Sequence, residues 1–268
     1  MSALQTIAET PRSLWRYRHI LVATTRIELK KRYAGTYLGP IWLVAYPAMF
    51  LAMYMFLYMV VFKVRFPGLG EFSYVVLVFC GLVPYLALME TASTATAVIR
   101  QNIHLIKNVM LPIDLMPARV ALTALAVQIP GLAILVILSA IDGSLSPKLC
   151  LLPLAWSLEA LFLLGVAFHL AVLGGLLPDL QASINIVLIF LLFVSPIGFP
   201  SDQVPPSAQL ILLVNPVTHL IDVFRSVLLE DQPLRVGEWL AFALGSLFLF
   251  ATGLVLFRRF KGYIVDHE

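Results

Sequence analysis

Apolar residues fall into long blocks along the chain, parted by short stretches that carry most of the charge. Six blocks, at about 38–62, 72–99, 115–141, 149–175, 181–199 and 238–257, match the roughly 20 apolar residues a helix needs to cross a hydrocarbon core of about 30 Å. They predict an all-α integral membrane protein with six transmembrane helices. Pro40, Pro47, Pro84, Pro130, Pro153 and Pro196 lie within these blocks, where membrane helices tolerate proline as a kink. With six spans both termini lie on one side.

The stretches between the blocks predict further elements. Over about 13–33, Tyr17, Ile20, Leu21, Thr24 and Ile27 recur at helical spacing, with Arg16, Arg18, Arg26, Lys30 and Lys31 mostly around the other faces. A basic amphipathic helix of this kind lies along the membrane surface, drawn by anionic headgroups. Whether it also serves as a platform for a cytosolic partner stays open. The loop at 100–112 is short and helix-compatible, mixing Ile103, Leu105, Ile106, Val109 and Met110 with Arg100, His104, Lys107 and Asn108 until Pro112 stops it. A short helix placed there can pass force from a soluble motor to two spans at once.

Residues 200–236 hold two apolar runs, 204–214 and 220–229, each about ten residues and so roughly 15 Å of helix, too short to span. In the second, Leu220, Phe224, Val227 and Leu228 share a helical face while Asp222, Arg225 and Ser226 lie elsewhere. Asn215-Pro216 supplies the turn between the runs. The reading is two short amphipathic helices at the outer interface, with one weakly hydrophobic extra hairpin as the alternative.

Composition and charge placement fix class and orientation. Hydrophobic residues make up 60% of the chain and charged ones only 12%, with mean hydropathy +0.94, too little charge to cover a water-soluble surface. If the amino terminus is cytosolic, the inner segments carry Arg12, Arg16, Arg18, Arg26, Lys30, Lys31, Arg32, Arg100, Lys107, Arg119, Arg258, Arg259 and Lys261. The outer segments carry only Lys63, Arg65, Lys148, Arg225 and Arg235, so both termini are expected inside. The first 37 residues hold seven basic residues and no uninterrupted apolar core, so no cleavable signal peptide is expected. Cys80 and Cys150 lie in or beside apolar runs and read as packing residues.

Candidate chemistry is sparse. The chain has no Gly-x-x-x-x-Gly-Lys-[Ser/Thr] phosphate loop, no His-Glu-x-x-His, no Gly-x-Ser-x-Gly and no paired cysteine motif. An ATPase or catalytic site on this chain, a metal site and nucleic-acid binding are therefore not expected. Ionisable or amide groups within spans are few, and Glu90, Gln128, Glu159, His169 and Asn185 stand out among them. They suit either a polar conduit or hydrogen bonds between helices. Aromatic residues crowd the first span, and Tyr46, Phe50 and Tyr54 step by four to form one stripe suited to packing or to substrate lining.

Several segments together resemble the membrane subunits of type-2 (ABC-2) ATP-binding-cassette exporters. They are Lys31-Arg32-Tyr33-Ala34-Gly35-Thr36-Tyr37-Leu38-Gly39-Pro40-Ile41-Trp42, the region of Pro47, the loop at 100–112, Ser195-Pro196-Ile197-Gly198-Phe199-Pro200, and Asn215-Pro216-Val217-Thr218-His219-Leu220-Ile221-Asp222-Val223-Phe224-Arg225. The first and last are most similar to permeases that export lipid-linked cell-surface polysaccharides, O-antigen exporters above all.

The resemblance implies a homodimer in the bacterial inner membrane, served by two copies of a cytosolic ATPase that carries the ATP and magnesium; no cofactor is expected on this chain. It implies a cytosolic start over 1–37 with an interface helix, a six-span domain over 38–258 and a cytosolic tail over 259–268. Within the domain it makes 100–112 a coupling helix, with Arg100, Asn102, His104, Lys107 and Asn108 facing the ATPase. It makes 200–236 a pair of periplasmic gate helices, with Asn215, Pro216, Phe224 and Arg225 at the gate. The first and fifth spans would line a channel for an undecaprenyl-linked polysaccharide, with Tyr46, Phe50, Tyr54, Phe190 and Phe193 along its path. Another cargo (teichoic acid, capsule, lipid, drug or haem) is the alternative. The short tail after Lys261 implies no substrate-binding domain there.

Overall fold

The computed structural model describes residues 12–61, 63, 70–109, 112–199 and 204–267. Arg65, Met110 and Pro200, named above, lie outside them. Among the described residues the protein is helical, with no strand and one isolated bridge, Leu145 to Leu229. The helices are α1 (Arg18–Tyr33), α2 (Trp42–Met55), α3 (Glu71–Ala95), α4 (Val98–Gln101), α5 (Ile103–Val109), α6 (Leu115–Asp142), α7 (Leu152–Leu176), α8 (Leu180–Val194), α9 (Pro206–Val214), α10 (Pro216–Leu228) and α11 (Val236–His267).

Among the described residues, five segments are long and apolar enough to cross a membrane, namely Gly39–Val61, Glu71–Ala95, Leu115–Asp142, Pro147–Leu176 and Val236–Ile264. This corrects the sixth full-length span expected at 181–199. The helix there, α8, has 15 residues and so reaches only about 22 Å. Ser195 is already extended, as the residue before a proline tends to be, and Pro196 ends the helix instead of kinking it. The chain then continues through buried turns, with Ser195 and Ile197 hidden from solvent. Irregular backbone at such depth is tolerated only where protein surrounds it. Pro47, Pro84 and Pro130 do sit inside helices.

Tertiary contacts order the passes. At one end of the bundle, Arg32 of α1 pairs with Glu90 near the end of α3, and Lys261 of α11 meets Asp114 before α6 at 3.1 Å. At the other end, Ser73 donates to Asp142 (2.9 Å), the Tyr74 hydroxyl to the Gly198 carbonyl (2.8 Å) and the Trp239 indole to Ser226 (3.0 Å). The chain thus changes end with α2, α3, α6, α7, α8 and α11 in turn, and α1 and the last turns of α11 share one end.

The core is centred on α3, which packs against α6, α7, α8 and α10 and buries Phe79, Leu82 and Tyr85 completely. The most extensive helix pair is α7 with α11. Small residues permit that approach: a Cβ added at Gly165 would lie 2.8 Å from the backbone nitrogen of Phe250. At the end of α7, Gly174 meets the turn after α3 even more closely, and an added Cβ would fall 1.8 Å from the Thr96 carbonyl oxygen.

α1 buries part of the expected stripe against α6 and leaves the rest outside. Leu21 and Thr25 face α6, where Leu21 packs with Leu115 and Ala118, whereas Ile20 and Ile27 are exposed. The helix docks on α6 through one side and leaves its other apolar residues on the outside.

Candidate functional site

Four polar contacts tie together the end that holds α1, α4 and α5. The Arg32–Glu90 pair joins α1 to α3. The buried Arg119 guanidinium of α6 donates to Asn102 Oδ1 at 3.1 Å and approaches Glu28 of α1 at 3.8 Å. Asn102 sits at the break between α4 and α5 and donates to the Val98 carbonyl at 2.7 Å. One buried cation on the third span therefore touches both α1 and the break between α4 and α5. Sequence reading treated Arg119 only as a topological charge; no local pattern names partners 17 and more than 90 positions away.

The five residues expected to face an ATPase divide into two groups. His104, Lys107 and Asn108 are exposed and, at spacings of three and four, share one face of α5 while Ile106 turns inward. Arg100 and Asn102 are half-buried, Asn102 in the contacts just described. α5 is described only as far as Val109.

The aromatic stripe is split by the structure. Tyr46 is half exposed and its ring lies 6.2 Å from that of Phe50, but Tyr54 is buried in the core. Phe190 and Phe193 project from α8 with 64% and 52% of their surface exposed, beside the similarly open Ile186 and Ile189. Tyr46, Trp42 and Pro47 line a cleft of about 370 Å³ between α2, α3 and α6, with Arg32, Glu90 and Gln128 among its other walls. Gln128 is held from behind: its amide nitrogen donates to both oxygens of the fully buried Glu159, at 3.0 and 2.9 Å, and its carbonyl accepts from the Trp156 indole at 3.0 Å. His169 meets Thr252 at 3.3 Å across the α7–α11 pair, and Asn185 is exposed. For Glu90, Gln128, Glu159 and His169 the structure thus supplies the inter-helix partners that sequence reading left open.

At the opposite end, α9 and α10 form as short helices joined at Asn215. Asn215 caps α10 by accepting from the Val217 amide at 3.0 Å and donates to the Ser195 hydroxyl at 2.9 Å. The expected amphipathic exposure of α10 is corrected. Arg225 and Ser226 are as buried as Phe224, because the Arg225 guanidinium donates to the carbonyls of Ile197 (3.0 Å) and Phe199 (3.3 Å). Burial lowers its pKa from the ordinary value, an effect partly offset by Cys80 and Asp222 nearby. Arg225 thereby fastens α10 to the irregular turn that follows α8. α9 instead leaves Leu210, Ile211, Leu213 and Val214 exposed.

Comparison with known proteins covers most of this architecture. A family described as "ABC-2 type transporter" matches residues 20–229, from α1 through the end of α10. The O-antigen export system permease protein RfbA of Myxococcus xanthus is 24% identical over 224 residues, covering 82% of this chain and 84% of that protein. A protein of the same name from Klebsiella pneumoniae is 26% identical over 249 residues, covering 90% and 92%. The polysialic acid transport protein KpsM of Escherichia coli is 25% identical over 236 residues, covering 86% and 89%.

Proposed function

The chain belongs to the ABC-2 type transporter family, and from that membership we propose that it is the permease of an ATP-driven exporter of a lipid-linked, O-antigen-like polysaccharide. The observation that carries this reading is the coverage of relatives named for O-antigen and polysialic acid transport, which extends over more than four-fifths of both partners in each comparison. In the proposal two copies of the chain flank a channel in a bacterial inner membrane, with both termini in the cytosol. The polymer, linked to undecaprenyl, passes outward between them. Two copies of a separate ATPase bind and hydrolyse ATP with magnesium, and this chain does no chemistry of its own.

The geometry supplies a mechanical route for that work. ATPase movement would reach the exposed face of α5 formed by His104, Lys107 and Asn108. Through Asn102 and Arg119 it would move α6 and α1 together, because the guanidinium touches both. The exposed α2 surface around Tyr46 and the exposed α8 rings Phe190 and Phe193 are the candidate channel walls. Such rings offer broad, weakly selective contact that a sliding polymer needs. Tyr54, being buried, would support that wall from within. α9 and α10 would form the outer gate, with Asn215 and Arg225 anchoring it to the turn after α8.

The test is purification in mild detergent, followed by analysis of what accompanies the chain. An ATPase subunit and a polyprenyl-linked glycan are expected together. A bound drug, haem or glycan-free lipid in the glycan's place would redirect the cargo, and an active chain with no ATPase would refute the reading.

A further inference from the structure

Two cavities meet at one ion pair. The aromatic cleft between α2, α3 and α6 is walled at one end by Arg32 and Glu90. A second cavity of about 410 Å³, between α1, α3, α4 and α6, is walled by the same two residues and by Lys31, Asn102 and Arg119. The two spaces differ in character. The cleft runs from Glu90 to Val83, two turns or about 10 Å deeper along α3, between side chains such as Leu43, Leu86 and Val127. Its deep amide, Gln128, is turned toward Glu159 and Trp156, so the inner lining is effectively apolar. The second cavity is polar, and its described lining carries Lys31, Arg32 and Arg119 against Glu28 and Glu90, one positive charge in excess.

We propose that the two cavities together bind one anionic phospholipid of the surrounding membrane, with an acyl chain in the cleft and the phosphate in the polar cavity. The depth and polarity match such a molecule: the charged rim lies at the end of the spans beside the basic surface helix, and the apolar part lies below it. Bilayer tails are as apolar as the cleft, so the chain contributes fit and little driving force. Selectivity must come from the headgroup, which is why the excess positive charge names an anionic lipid over a zwitterionic one. Glu90 is engaged by Arg32 and Glu28 faces Arg119, so the Lys31 ammonium at the rim is the charge the phosphate would meet. The site lies among the first three spans of one subunit, and its failure would leave the transport reading standing.

The experiment uses phosphatidylglycerol and phosphatidylcholine carrying the same photoactivatable acyl chain, each with the full-length chain in nanodiscs, and maps the labelled residues by mass spectrometry. Labelling is expected at Leu43, Leu86 and Val127, about fivefold stronger for the anionic lipid, as one nearby cation would give. Gly131→Leu should abolish it, because Gly131 lines the cleft, the nearest atoms to an added Cβ are those of Val83 at 3.4 Å and Pro47 at 3.9 Å, and a larger side chain there fills the space between them. Lys31→Gln, at an exposed position, should equalise the two lipids and decides the matter should the first variant fail to assemble. Equal labelling of the wild type by both lipids, labelling confined to outward residues such as Met49 and Met53, or displacement by a lipid-linked glycan but not by unlabelled phosphatidylglycerol would each overturn the proposal.

Discussion

Glu159 on the fourth span and Gln128 on the third face each other with the amide nitrogen of one between the carboxyl oxygens of the other, at 3.0 and 2.9 Å. A carboxyl group with no solvent contact is costly in a bilayer unless a neighbouring helix supplies a donor. Gln128→Leu removes that donor without opening a large cavity. It should lower stability by about 1–3 kcal/mol, the cost of an orphaned buried polar group. Glu159→Gln, which keeps the shape and can still bond Gln128, should cost less. Thermal unfolding midpoints in one detergent compare them; an unchanged midpoint for Gln128→Leu would contradict the assignment.

Gly174 should be intolerant of any side chain. A Cβ there would lie 1.8 Å from the Thr96 carbonyl oxygen and 2.5 Å from its carbon, both backbone atoms that cannot step aside alone. Gly174→Ala should therefore displace α7 from the turn after α3 and yield little monodisperse protein. Gly262→Ala is the control, since nothing lies within 4 Å of its added Cβ. Size-exclusion profiles of the two variants read the difference.

Arg119 should couple hydrolysis to export. Arg119→Ala leaves Asn102 and Glu28 without their shared partner and frees the α4–α5 break from α6. With the ATPase bound, transport per ATP consumed should fall about tenfold, the equivalent of losing one hydrogen bond to a charged group. ATPase binding itself should persist, because His104, Lys107 and Asn108 are untouched. Parallel assays of hydrolysis and export distinguish this from plain loss of assembly.

Tyr46 and Phe50 form an aromatic pair on the least buried span, and Tyr46 and Trp42 also line the cleft. Replacing both Tyr46 and Phe50 with Ala should slow polymer export about two- to tenfold, the range that one aromatic pair supports. ATPase assembly should remain intact. Export at the wild-type rate by the double variant would remove this face from the substrate path.

Much of this architecture was legible from hydropathy, because a helix long enough to cross a bilayer must announce itself as an apolar run. The block at 115–141 became Leu115–Asp142 almost unchanged. The last span proved longer than its apolar part: α11 continues to His267 through Arg258, Arg259 and Lys261, which a hydropathy window discounts. α8 proved shorter, because Ser195-Pro196 stops the helix although the apolar run continues to Phe199. The polar side chains were visible as residues but not as pairs. Gln128 and Glu159 are 31 positions apart, and Tyr74 reaches Gly198 across 124. Arg225 reads in the sequence only as lying off the apolar face of its helix for the same reason: its carbonyl partners lie on another segment, and helical periodicity sees only its own.

Reconstitution tests the central claim most directly. The chain and its cognate ATPase would be placed in proteoliposomes, with an undecaprenyl-linked polysaccharide in the membrane and an enzyme or lectin that reads glycan on the far side. The account predicts glycan arriving there only with ATP and magnesium, and far less of it with Arg119→Ala. Glycan transfer that proceeds equally without ATP, or ATP turnover that moves some other cargo and leaves the polysaccharide in place, would contradict it.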